Sequence, residues 1–116
     1  GAEQAKVEEL MRKFAKSPYA TPSVKECQSE VSEEIVNALI EMGELVAVSQ
    51  DVIFRKQDYD EMVEKIKVAI QQKGQVTLGE VRDMLDTTRK YIQALLEHLD
   101  SIGVTLRAGD ARKLRK

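Results

Sequence analysis

Only one cysteine, Cys27, occurs in the chain, so no internal disulfide can form. A lone thiol suits a reducing compartment such as the cytoplasm. Histidine is just as scarce: His98 and Cys27 together are too few ligands for a protein-only zinc site. Aromatic residues make up 4% and tryptophan is absent, which removes the stacking platforms on which many RNA-binding sheets rely. There is no basic excess. The formal net charge is −2, so any hold on nucleic acid must come from a local patch. No apolar run approaches the roughly 18–20 residues a membrane span needs, and no secretory signal opens the chain. The glycine-rich loop GxxxxGK[ST] that cradles phosphates is missing. Around His98 the sequence offers no nucleophile or carboxylate pairing. No catalytic residue, metal or cofactor is therefore expected, and the chain reads as a binding module rather than an enzyme. It opens Gly1-Ala2 without an initiator methionine, which suggests a piece of something longer.

What is present is helical periodicity and well-placed punctuation. Glu3 to Lys16 carries an apolar stripe of Val7, Leu10, Met11 and Phe14 at helical spacing. Pro18 and Pro22 break the chain after it. Ser23-Val24-Lys25-Glu26 is a capping box that starts a short second helix, and Ser32 followed by Glu33 and Glu34 starts a third. Val36, Leu39 and Ile40 face inward there, and Gly43 stops it. Leu45 to Val48 and Val52 to Phe54 flank a short Ser-Gln-Asp turn, predicting a hairpin. Asp58 to Glu61 reads as a capping box for a fourth helix with Tyr59, Met62, Val63, Ile66 and Ile70 inside and Gly74 at its end. Thr77-Leu78-Gly79-Glu80 opens a fifth helix with Leu78, Val81 and Leu85 inside.

The sixth helix has the strongest pattern. Ile92, Leu95, Leu96, Leu99 and Ile102 recur on one face, Asp86 or Thr87 can cap its start, and Gly103 ends it. Val104 to Arg107 and Ala111 to Leu114 then read as strands around Ala108-Gly109-Asp110. The order helix, helix, helix, hairpin thus occurs twice, and the residues repeat with it. Val7, Leu10 and Phe14 match Val63, Ile66 and Ile70 at an offset of 56, and Asn37 to Glu41 match Gln93 to Glu97 at the same offset. Val24 to Cys27 match Val81 to Met84 one residue later, which makes Cys27 a small core residue. The expected fold is mainly α with small β-hairpins: two tandem winged-helix domains, 1–56 and 57–116, joined by a short link without glycine or serine. A single six-helix domain is the alternative.

The two copies differ in charge. The third helix shows Glu33, Glu34, Asn37 and Glu41, and the first hairpin carries Asp51 at its tip, so that face repels phosphate. The first domain is accordingly expected to be a structural spacer. The sixth helix begins Thr87-Thr88-Arg89-Lys90, and the second wing and tail add Arg107, Arg112, Lys113, Arg115 and Lys116 against Asp110. Helix start and wing are neighbours in a winged helix, so these cations can form one patch, with threonine hydroxyls and helix-start N–H groups as further phosphate ligands. Glu97 and Asp100 further along oppose insertion of the whole helix into a groove. In the turn, Gly109 lets backbone approach a ligand and Asp110 can accept from a base N–H.

The run from Arg89 to Asp110 resembles the C-terminal end of the bacterial selenocysteine-specific elongation factors. The telling parts are Arg89-Lys90, Leu96-Glu97, Leu99-Asp100, Ile102-Gly103-Val104-Thr105, and Arg107 with Gly109-Asp110. The resemblance implies an arm of winged helices whose last module grips a hairpin in selenoprotein mRNA, recruiting the factor for recoding of UGA. It implies RNA contacts at Arg89, Lys90, Arg107, Gly109 and Asp110, to which the charge patch adds Thr88, Arg112 and Lys113 as expected RNA-binding residues. Ribosome and selenocysteinyl-tRNA would be reached through the parent factor, whose GTPase part would bind GTP and Mg and is not present here. A cytoplasmic monomer is expected. Family members often carry a second basic residue at the position of Leu106, and Tyr at that of His98. A DNA-binding regulator or a protein-interaction winged helix would use the same fold.

Overall fold

Three of the short polar residues at predicted helix starts, Ser23, Ser32 and Thr77, cap helices. The structure, a computed structural model, describes residues 2–115. It divides into two units, Gly1–Tyr59 and Asp60–Lys116.

In the first unit, α1 (Ala2–Lys16), α2 (Val24–Glu30) and α3 (Glu33–Glu41) precede an antiparallel hairpin of β1 (Leu45–Ala47) and β2 (Ile53–Arg55). Ser23 and Glu26 close a reciprocal capping box on α2: the Glu26 N–H donates to Ser23 Oγ at 3.1 Å, and the Ser23 N–H to Glu26 Oε1 at 3.2 Å. Ser32 Oγ accepts from the Ile35 N–H at 3.0 Å and caps α3. Leu10, Phe14, Cys27, Val36, Leu39, Leu45 and Ile53 form the core, so the apolar stripes of all three helices meet the hairpin. Thr21, buried among them, is satisfied by donating to the Ile53 carbonyl at 2.6 Å.

α4 (Lys56–Lys73) departs from its predicted start at Asp58. Asp58 does not cap the helix from outside; it lies in the first turn, buried, where Arg55 Nε and Nη2 donate to its two oxygens at 2.6 and 3.0 Å. The bidentate arginine fixes the orientation of both carboxylate oxygens, and the helix begins two residues earlier.

The second unit continues from α4 through β3 (Val76–Thr77), α5 (Leu78–Leu85), α6 (Arg89–Ser101), β4 (Thr105–Ala108) and β5 (Ala111–Leu114). The three strands form an antiparallel sheet in the order β3-β5-β4. Thr77 caps α5 with Glu80 as its reciprocal partner. Asp86, expected at the start of α6, instead ends α5 in the left-handed conformation (φ 50°). Thr87 is not the cap of α6 either; Thr88 holds the N-cap position and its side chain makes no capping hydrogen bond. Val81, Leu85, Ile92, Leu95, Leu96 and Leu99 are buried on α5 and α6, which pack on each other. Among the exposed apolar residues of this unit are Ile102 and Met84. Ile102 is 53% exposed because it is the C-cap, where the helical stripe has run out. Met84 is 43% exposed although its counterpart Cys27 is fully buried. Among the described residues no helix is long and apolar enough to cross a membrane, and no cluster of three or more metal-ligating side chains occurs.

Candidate nucleic-acid interface

The wing places its charges by strand register. Arg107 and Arg112 are direct partners in the β4–β5 ladder, so both side chains leave the hairpin on the same face. The Gly109-Asp110 turn joins the strands in two residues, with Gly109 at φ +63°, a conformation costly for any residue with a Cβ. Arg107 Nε donates to the Gly109 carbonyl at 3.2 Å, which lays an exposed guanidinium along the turn. Lys113 pairs with Leu106 and therefore occupies the opposite face of the wing. Arg115 is exposed beyond β5, where its N–H donates to the Val104 carbonyl at 3.2 Å. Lys116 lies outside the described residues.

Arg112 has a different environment from the other cations. It is 4% exposed, and its Nε donates to both Asp100 oxygens at 3.2 and 3.0 Å. Thr105 Oγ1 donates to the same Asp100 at 2.6 Å. Asp100 thus faces inward and ties α6 to both strands of the wing. The sequence alone places it on an outer face, because the helical wheel does not show that a hairpin returns over it.

At the start of α6, Thr88, Arg89 and Lys90 are all exposed. Arg89 Nε reaches Gln93 Oε1 at 3.5 Å, and the Lys90 ammonium sits 5.4 Å from the Tyr91 ring centroid. A groove of about 240 Å³ separates this helix start from the wing and from the first turns of α5. It is lined by Thr77, Leu78, Gly79, Arg82, Arg89, Arg107, Asp110 and Arg112. Four arginines against one aspartate make it a basic feature on an acidic chain. Of the residues expected from sequence, the groove brings together Arg89, Arg107, Asp110 and Arg112. Thr88, Lys90 and Gly109 adjoin its lining residues in sequence, and Lys113 stands apart from it. Arg82, Thr77 and Gly79 were not foreseen. Arg82 stands beside Asp83 in sequence, so no charge run marks it; only its helical spacing from Leu78 and Gly79 puts it on their face.

The neighbouring acid Glu80 is engaged elsewhere. Glu80 accepts from Lys73 Nζ at 2.9 Å and from the Thr77 N–H at 2.9 Å. The lysine first, and then the Thr77 N–H, hold its carboxyl below the usual carboxylate range. His98 is half-buried, and burial lowers its pKa and favours the neutral ring. In the first unit Glu33, Glu34, Asn37, Glu41 and Asp51 are all exposed, so its third helix and hairpin tip present acids where the second unit presents arginines.

The groove lies entirely within residues 68–114, and that stretch matches the family described as elongation factor SelB, winged helix. Residues 68–114 are thus similar to a SelB winged helix. Over a longer stretch, the selenocysteine-specific elongation factor of Desulfomicrobium baculatum is 30% identical over 83 residues, 72% of this chain. The matched part is 13% of that relative's length. Among solved structures, the mRNA-binding domain of E. coli SelB in complex with SECIS RNA superimposes with a TM-score of 0.77 at 25% identity. That match covers 98% of this chain and 97% of the other. A bacterial selenocysteine-specific elongation factor, EF-Sec, gives the same TM-score at 19% identity, over 96% of this chain and 18% of its own. The fold is therefore that of the SelB mRNA-binding region, mainly helical with small antiparallel sheets.

Proposed function

We propose that the chain binds the selenocysteine insertion element, an mRNA stem-loop, through the second unit and so recruits a selenocysteine-specific elongation factor to UGA codons. The observation that carries this reading is the arginine-lined groove between the α6 start and the wing of a SelB winged helix. The E. coli domain that shares the fold was solved with SECIS RNA. A-form RNA hides its base edges in a narrow major groove, so selective proteins read loops and backbone shape. A short cleft with cations on three sides suits the tight phosphate path of a hairpin loop better than a straight duplex. Thr88, Arg89, Lys90 and Arg107 hold phosphates, while Gly109 and Asp110 present backbone and carboxylate to an exposed base. Arg112 supports the wing from beneath, and Lys113 acts at long range from its other face. The first unit, with its acidic third helix, is a spacer winged helix.

The chain itself has no catalytic role in this reading. GTP and Mg belong to the parent factor, which reaches the ribosome and selenocysteinyl-tRNA in the cytoplasm, and the arm works as a monomer. The test is a binding titration with a bacterial selenoprotein stem-loop, a loop-mutated stem and a DNA duplex of equal length. Preference for the intact loop supports the proposal; equal weak binding to all three contradicts it.

A further inference from the structure

The groove has a third wall that belongs neither to the recognition helix nor to the wing. α5 runs along it, with Leu78, Gly79 and Arg82 on one face. We propose that Arg82 is a third phosphate-binding arginine of the same site, so that the RNA backbone is clamped between α5, the α6 start and the wing. This deepens the reading of the groove as an RNA site and rests on it.

Three observations carry the assignment. Arg82 lines the same groove as Arg89 and Arg107 while coming from a separate element, so α5, α6 and β4 each contribute an arginine to its lining. Its ion-pair partner is Asp83 at 3.3 Å, whose side chain is 76% exposed. An exposed pair between sequence neighbours contributes little and yields readily to a phosphate. The helix is also open in front of the guanidinium. A Cβ built on Gly79 would lie 4.0 Å from Arg82 Nη2, an ordinary contact, and Gly79 has no positive φ that demands glycine. Neither close packing nor backbone conformation requires a residue without a side chain there, and its absence leaves the arginine facing open groove.

The experiment measures stem-loop affinity across a salt series for the full chain carrying Arg82→Ala, Arg82→Lys, Asp83→Asn, Gly79→Gln or Lys65→Ala, with Arg89→Ala and Arg107→Ala in parallel. Arg82→Ala is expected to lower affinity about tenfold and to flatten the slope of log K against log salt by about 0.7–0.9, one phosphate's worth. Arg82→Lys recovers the slope and part of the affinity. Asp83→Asn tightens binding by removing the competing carboxylate. Gly79→Gln, which exchanges a poor helix former for a good one and needs no backbone change, weakens binding by filling the groove. Lys65→Ala, the same charge change outside the groove, has no effect beyond twofold. An Arg82→Ala chain with unchanged affinity and slope, while Arg89→Ala and Arg107→Ala bind poorly, overturns this inference and leaves the site standing. No effect from any of the three arginines overturns the site itself.

Discussion

At the residue scale, Asp100 and Cys27 show how far a side chain's role depends on what the chain brings back over it. Asp100 takes hydrogen bonds from Thr105 and from buried Arg112. Replacing it with Ala strands an arginine that is 4% exposed without its counter-charge. The expected loss is about 2–3 kcal/mol, below the cost for a fully enclosed pair because the Asp100 side chain keeps 24% exposure. Denaturant unfolding of Asp100→Ala checks this, and an unchanged midpoint would contradict the brace. Cys27 is fully buried, and burial, with Glu26 adding to it, pushes its thiol up from about 9 to about 11. The raised pKa means folding favours the neutral thiol. Its contribution to stability is intact below pH 9 and is lost as pH rises through about 11. At pH 8 the folded chain should therefore resist a thiol reagent, and denaturant should release one reactive thiol per chain. Rapid native labelling at pH 8 would show Cys27 to be accessible.

At the scale of elements, capping chemistry was the most legible part of the sequence. Ser23, Ser32 and Thr77 could be recognised because a short oxygen-bearing side chain followed by Glu has few other uses before an apolar stripe. Asp58 and Asp86 share that chemistry and do something else. Asp58 is claimed by Arg55, and Asp86 takes a left-handed C-cap that asparagine and aspartate tolerate. Both outcomes depend on partners or backbone turns that no local window contains. Thr77 is consequential because α5 forms one wall of the groove. Thr77→Ala should cost about 1 kcal/mol in unfolding measurements. Thr77→Ser, which keeps the capping oxygen, should cost far less. Equal effects of the two would mean that the cap contributes nothing. Glu80, held below its ordinary pKa by Lys73 and the Thr77 N–H, keeps its part of this cap down to lower pH than an ordinary glutamate, and loses it as pH falls through that lowered value.

At the scale of the whole molecule, the charge contrast between the copies was readable from composition alone, and the exposed acids of α3 bear it out. Arg89, Arg107 and Asp110 could be foreseen as neighbours because helix start and wing meet in this fold. Arg82 could not, because its neighbour Asp83 cancels it in any sum along the chain, and only the tertiary fold brings it to the groove beside Arg89 and Arg107. Lys113 was grouped with the patch because it lies in the basic tail, yet strand alternation sends it to the far side. A chain of net charge −2 gains RNA affinity only where cations converge, so the groove and not the overall charge should set the salt response.

The most direct test of that claim is one salt-dependent titration of a selenoprotein stem-loop against the intact chain and the chain carrying Arg89→Ala with Arg107→Ala. Two lost phosphate contacts should flatten the slope of log K against log salt by about 1.4–1.8 and lower affinity by at least a hundredfold at moderate salt. Parallel slopes with similar affinities would contradict it, since the groove would then hold no RNA phosphate at all.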